Sequence, residues 1–499
     1  MIEIMSHLGY GFQIALAPIN LLYAFIGCLV GTLIGVLPGI GPAGGMALLI
    51  PLTYGKEPAS AIILLAGIYY GAMYGGSTTS ILLNVPGEAA SVVTTLDGYQ
   101  MAKKGRAGPA LSIAAIGSFI AGTIGVALLM MLGPPLAKVA LQFGPAETFA
   151  LMIFGLSTVT SLAGKSVRKG LVATTLGLML ATVGSDLPTG ILRFTFDISK
   201  LMEGLDIVVV AIGLFAVSEI LSSAEEMRAG EFVVEKVTRI WLSFQDFRQS
   251  VGAILRGTFL GFFIGVLPGA AHVTASFLSY VLEKRLSKEP ERFGHGEIRG
   301  VAGPESANNS AACGALIPLL TMGLPASAVT AVLYGALLMT GVRPSPFLFA
   351  KHPDVAWGLI ASMYIGNAML LILNLPLVAL WVKVLRTPPR WLFPIVLAVS
   401  FVGVYSVNRS AIDLLLATGL GVLGYCMRRL DYPLAPVILG LVLGDLLEQA
   451  LRQTLMISGG SLEIFWRSPI SITLFVLAAA VVALPKVLYR GKVKPEVES

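Results

Sequence analysis

Apolar runs long enough to cross a bilayer recur along this chain, at about 20–37, 59–83, 110–132, 146–163, 168–185 and 205–222. They resume at about 250–282, 308–342, 355–385, 392–408, 411–427, 433–451 and 469–488. About 20 helical residues span the hydrocarbon layer, where an unpaired backbone group finds no water. The pattern predicts an all-α, polytopic integral membrane protein with about twelve transmembrane segments, some of them broken or re-entrant. Composition agrees. Only 12% of the 499 residues are charged, against about 25% in soluble domains, so most of the surface faces lipid. The net charge of +6 sits on Lys and Arg in connecting loops; it bears on topology and points to no nucleic-acid partner. No charged segment with a cleavage motif precedes the first run, which reads as an uncleaved helix. Cys28, Cys313 and Cys426 lie singly in apolar sequence and suggest neither a disulfide nor a metal site.

Two interruptions in this texture repeat. Gly35-Val-Leu-Pro-Gly39 recurs letter for letter as Gly265-Val-Leu-Pro-Gly269, 230 residues later. Pro86, in Asn84-Val-Pro86, is echoed 239 residues later by Pro325, in Gly323-Leu-Pro325. Duplicated halves with broken apolar segments in matching places are the sequence mark of secondary transporters. The expected organisation is a membrane repeat over 1–224, a polar amphipathic linker over 225–249, a second repeat over 250–460, and a last span with a basic tail over 461–499. Inverted insertion of the halves is the expectation, parallel insertion the alternative.

The stretch from Gly35 to Gly45 holds five glycines and two prolines. Proline removes a backbone donor and glycine tolerates positive φ, so no continuous helix is expected through it. A re-entrant hairpin or unwound helix would leave free amides at a half-helix N-terminus, which attracts anions; an interfacial loop is the plainer alternative. Further on, Gly75 and Gly76 precede four hydroxyls, Ser77, Thr78, Thr79 and Ser80, and then the break at Asn84-Val-Pro86. Hydroxyls and freed amides suit a carboxylate ligand because they stabilise the anion without fixed charge, although small polar residues also serve helix packing. In the second half, Asn308 and Asn309 each offer a carbonyl and an amide group. Glu305 beside them has two readings. It is a carboxylate at membrane depth, costing about 2.5–3.5 kcal/mol and so there for a reason, or it is interfacial, closing the polar stretch 283–305. His272, in the second broken segment, is a proton shuttle or a local hydrogen-bonding group. Asp97, ahead of Lys103, Lys104 and Arg106, reads as part of a surface loop, and Asp186, Asp206, Asp413 and Asp445 read likewise near span ends.

The run Tyr69–Gly98, with its Gly-Gly-Ser-Thr-Thr-Ser, Asn-Val-Pro-Gly-Glu and Thr-Leu-Asp-Gly elements, resembles the large membrane subunit of the tripartite tricarboxylate transporters. So do Ser276-Phe-Leu-Ser-Tyr280, Pro290-Glu-Arg-Phe-Gly294 and Pro304-Glu-Ser-Ala-Asn-Asn309. The likeness runs in order over nearly the whole chain. Ala326 after Leu-Pro and Ser310 after Asn-Asn depart from it, each still a small residue. The resemblance implies a cation-coupled importer of carboxylates such as citrate in the bacterial inner membrane, working with a small membrane subunit and a periplasmic solute-binding protein.

Energetics also favour ion coupling. Moving a trianion inward against roughly 100 mV costs about 7 kcal/mol, at about 2.3 kcal/mol per charge. No ATP-binding loop is evident: Gly164-Lys-Ser166 imitates the end of one, but Val159 stands where its first glycine is required. Sodium ion and proton are equally compatible as the coupling cation, and no other cofactor is expected. The breaks are expected to converge near mid-membrane on one carboxylate. The substrate-binding candidates are Gly39, Gly41, Gly76, Ser77, Thr78, Thr79, Asn84, Pro86, Gly269, Asn308, Asn309, Pro325 and Ser327. Candidates for the coupling ion are Pro38, Gly39, Pro268, Gly269 and Asn309. No catalytic residue is expected, because the Gly444-Asp445 pair lacks the preceding glycine of membrane aspartyl proteases, Val442 taking its place. A channel is the nearer alternative to a carrier.

Overall fold

Backbone groups in lipid must find their hydrogen-bond partners within the chain, and the computed structural model is accordingly almost entirely helical. It describes residues 2–37, 41–162, 166–186, 189–226, 240, 242–267, 271–385, 394, 397–398, 400–402, 404–405 and 409–489. Pro38, Gly39, Pro268 and Gly269, much of the 225–249 linker and the basic tail from 490 lie outside the described residues.

The chain divides into two compact units. The larger takes in residues up to Ala140, Asp206–Leu267 and Ala271–Arg428. It begins with α1 (Ile2–Ala15), α2 (Pro18–Val36), α3 (Gly41–Leu49), α4 (Pro58–Leu83), α5 (Val92–Met101) and α6 (Ala107–Ala140). The smaller unit, Leu141–Leu205 and the chain from Arg429, contains α7 (Pro145–Leu162), α8 (Val167–Ala181), a hairpin of β1 (Gly184–Ser185) with β2 (Leu192–Arg193), and the helices Ala435–Ile457 and Pro469–Tyr489. The larger unit continues with α9 (Ile207–Ala211), α10 (Ser218–Glu226), α11 (Phe244–Val266), α12 (Ala271–Leu286), α13 (Arg299–Met322) and α14 (Ala328–Met339). It closes with α15 (Leu348–Lys351), α16 (Pro353–Asn374), α17 (Val378–Leu385) and the helix Ala411–Arg429.

Six helical segments are long and apolar enough to cross a membrane among the described residues. Others expected to span are long but less apolar. α13 carries Glu305, Asn308 and Asn309, and the helix Ala435–Ile457 carries Asp445, Glu448 and Arg452.

Two helices form the interior of the larger unit. Every residue of α4 from Ala59 to Leu83 is buried, as is every residue of α13 from Gly300 to Thr321. A helix that is buried all round must be free of bulky polar groups or pair the ones it has. Each is covered by a neighbour through a glycine stripe. On α2, Gly27, Gly31 and Gly35 lie so close to α4 that an added Cβ would overlap the backbone of Leu64, Ile68 and Ala72. On α11, Gly257, Gly261 and Gly265 meet the backbone of Gly303, Ala307 and Ala311 of α13 in the same way. Corresponding glycines are 230 residues apart, and their contacts are 239 apart. Small residues at four-residue spacing let helices approach closely where lipid supplies no hydrophobic drive between them.

The ends of these helices also correspond. α2 and α11 stop at Leu37 and Leu267, both extended. α4 ends on Asn84 and α13 on Gly323, both left-handed, with φ of 60° and 70°; Asn and Gly are the residues that tolerate this conformation. After each comes a proline, then a turn in which one backbone N–H is accepted by the hydroxyl three residues on. Glu88 N–H reaches Ser91 Oγ at 3.2 Å, and Ser327 N–H reaches Thr330 Oγ1 at 2.8 Å. The run expected at 308–342 is thus two helices, because Gly323 and Pro325 end the first.

In the smaller unit α8 packs against the helix Ala435–Ile457, with Gly177 beside Val437 and Gly440. Asp186, expected in a surface loop, is instead buried at the hairpin, 3.3 Å from Arg193 and 3.2 Å from Arg452. Donation from Thr189, together with the two guanidinium groups, holds its carboxyl below the usual value.

Candidate functional site

Two carboxylates enter the interior where α4 and α13 end or begin. Glu305 lies in the second turn of α13 and is 1% exposed, so of its two readings the buried one holds. The chain is helical from Arg299, and the stretch expected as a polar loop therefore stops short of it. Ser77 of α4 donates to Glu305 Oε2 at 2.5 Å, and Thr94 of α5 donates to Oε1. Glu88, in the turn after Pro86, is 7% exposed, and its Oε1 accepts from Asn308 Nδ2 at 2.5 Å. Asn308 follows Glu305 by three residues and so shares its face of α13. No arginine, lysine or histidine pairs with either acid among the described residues.

The hydroxyl row of α4 divides its work. Thr79 donates to Val36 O at 2.7 Å and ties α4 to the last turn of α2. Ser80 joins Ser91 at 2.9 Å and fixes the turn that carries Glu88. Gly76 makes room for that turn: a Cβ there would press on the Glu88 side chain. Thr78 lines a small internal cavity with Ser77, Tyr74, Ser118 and Asn374. Asn309 donates to Ser118 Oγ at 2.7 Å and to Glu305 O at 3.1 Å. His272, at the start of α12, meets the Tyr69 hydroxyl through Nε2 at 2.8 Å, the local hydrogen bond that was one of its readings.

The structure thus brings Gly76, Ser77, Asn308 and Asn309 together around Glu88 and Glu305. Asn84, Pro86, Pro325 and Ser327 build the two turns, while Gly41 opens α3 with φ of 65°. Ser77 and Asn308, considered as donors to a substrate carboxylate, already donate to the protein's own acids. When ionised, a cluster so arranged repels an anion and attracts a cation. Glu88, Ser118 and Asn374 were missed as site residues. Their signal was a polar residue within or beside an apolar run, which membrane proteins rarely place without purpose.

Asp97 corrects the expectation of a surface loop. It is fully buried on α5, where Oδ1 accepts from the backbone N–H groups of Gly294, Gly296 and Glu297 at 2.7–2.9 Å and Oδ2 accepts from Tyr280 at 2.9 Å. Gly294 and Gly296, at φ of 90° and 96°, let these amides converge. Asp97 thereby shapes the loop that delivers Arg299 to the start of α13. Asp413 is buried as well, not exposed near a span end. Asp97→Ala leaves three amides without an acceptor and is expected to cost on the order of 3 kcal/mol. Limited proteolysis in membranes checks this: cleavage between 287 and 298 should speed up strongly, and an unchanged rate would deny Asp97 that role.

A model of the Tripartite tricarboxylate transporter TctA family matches residues 21–439. This chain belongs to that family. The TctA assignment spans both interior helices and all the residues of the acidic cluster. Among curated proteins, an uncharacterized 52.8 kDa protein of Agrobacterium vitis, from the region 3′ of ttuC' in TAR-I, is 50% identical over 486 residues, 97% of each chain. A second uncharacterized protein of that organism, from the region 3′ of ttuC' in TAR-II, is 49% identical over 224 residues, 45% of this chain and 93% of its own. No solved structure matches.

Proposed function

We propose that this multi-pass membrane protein is the transport subunit of a secondary-active importer for a small tricarboxylate such as citrate. It acts in the bacterial inner membrane with a small membrane subunit and a periplasmic solute-binding protein, and co-transported Na+ or H+ drives it. The observation that carries the proposal is the buried Glu88–Glu305 cluster, without a basic partner among the described residues. A carboxylate removed from water without a positive partner costs several kcal/mol. A cation that arrives with the substrate and leaves into the cytoplasm relieves that cost once per cycle. Two related halves, 1–224 and 250–460, supply the frame, supported by the paired glycine stripes and matching turns. With Ser77 and Asn308 engaged by acids, the substrate carboxylates are received at the opening of α3 around Gly41 and of α14 around Ser327. The N–H groups of a helix N-terminus that its capping turn leaves free attract anions.

The test is uptake of radiolabelled citrate by proteoliposomes holding the full chain and the small subunit, supplied with the binding protein. Saturable uptake and counterflow that require an inward Na+ or H+ gradient are expected. Uptake indifferent to the collapse of both gradients would overturn the coupling, and flux that never saturates would indicate a channel.

A further inference from the structure

An internal cavity of about 10 Å³ lies among α4, α6 and α16, bounded on its polar side by Tyr74, Ser77, Thr78, Ser118 and Asn374. Space of that size holds one water-sized particle. The orientation of the Asn374, Ser77, Tyr74 and Ser118 oxygens around it follows from their other bonds. Asn374 Nδ2 donates to Leu370 O at 2.9 Å, which settles which end of the amide is which and leaves Oδ1 buried with no hydrogen-bond partner. Asn374 is only 4% exposed. The Ser77 hydroxyl spends its proton on Glu305, and the Tyr74 hydroxyl spends its own on Asn367 Oδ1 at 2.6 Å, so both present lone pairs elsewhere. Ser118 accepts from Asn309. A buried acceptor with nothing to accept is costly and uncommon. Here several oxygens surround the same small space, and a carboxylate stands one hydrogen bond behind them.

We propose that this cavity is a sodium site, with Asn374 Oδ1 and the hydroxyl oxygens of Ser77, Thr78, Ser118 and Tyr74 as ligands and Glu305 supplying the neutralising charge through Ser77. Oxygen ligands suit a hard cation. The lining is uncharged and one acid lies behind it, which favours a monovalent ion; a divalent ion would call for more carboxylates or retained waters. The space fits a dehydrated sodium ion and is too small for a hydrated one. The inference rests on the cation-coupled reading above and names its ion and ligands.

The test is 22Na+ binding to the detergent-purified full chain, competed with K+ and choline. One Na+ per chain, poorly displaced by K+, is expected. Asn374→Ala and Thr78→Val should each weaken binding about 10- to 100-fold, the loss of one buried oxygen ligand. Asn374→Asp, which keeps an oxygen in place, should retain binding and so separates ligation from folding. Absence of Na+ binding by the wild-type chain, as for a cavity holding only water, overturns the site, and so does unchanged affinity in Asn374→Ala and Thr78→Val. Either result, combined with uptake that still follows a proton gradient, removes the sodium site while leaving cation coupling in force. Uptake that follows neither gradient removes both.

Discussion

Glu305→Gln is expected to reduce gradient-driven uptake by two orders of magnitude or so, about 2.7 kcal/mol at 1.36 kcal/mol per tenfold, while the protein still reaches the membrane and stays monodisperse. The substitution keeps the shape of the side chain, and a Gln carbonyl still accepts from Ser77 or Thr94. What it removes is the charge. Taking an unpaired charge out of a buried site is often neutral or stabilising for the fold, so a drop in activity without a drop in abundance isolates the electrical role. Glu305→Asp shortens the arm and should fall between the two, because it cannot hold both hydroxyls at their present positions. Glu88→Gln should be milder, since Asn308, which donates to its Oε1, is an amide that can rotate to meet it. Wild-type uptake with unaltered cation dependence in Glu305→Gln would falsify the role assigned to this acid.

The second large effect concerns stability. Gly31→Ala places a methyl group into the Ile68 backbone, and Gly261→Ala places one into Ala307. Neither obstacle is the far end of a flexible side chain, so α2 must move off α4, or α11 off α13. Overpacking of this kind costs about 1–3 kcal/mol, occasionally more, and the cost should appear as a fall of several degrees in the melting temperature of the detergent-solubilised protein. Gly419→Ala, in a helix where nothing lies within 4 Å of the new Cβ, is the control. It should be neutral or slightly stabilising, given the better helix propensity of alanine. Equal melting temperatures for all three variants would deny that the stripes hold the pairs together.

Much of this architecture could be read from residues close together in the chain. Proline after Asn84 and after Gly323 announces a helix end wherever it occurs, and the structure has both ends within two residues of those prolines. The 26-residue α4 is nearly the apolar run at 59–83. What could not be read is whatever depends on partners far apart. Glu305 meets Ser77 and Thr94, each more than 200 residues away. Asp97 looks like a loop residue until the amides of 294–297 close around it. The glycine stripes were hidden for another reason: with 56 glycines in the chain, a four-residue spacing does not stand out from the background. It acquires meaning only when a facing backbone is seen against it.

Positions 88 and 327 occupy the same place in two turns of the same construction, yet one bears an acid and the other a hydroxyl. Matching scaffolds with unlike chemistry at one point make a device that is balanced mechanically and lopsided electrically. Exchanging the two side chains, with Glu88→Ser and Ser327→Glu in one chain, would leave both turns capped while carrying the charge from one end of the molecule's internal likeness to the other.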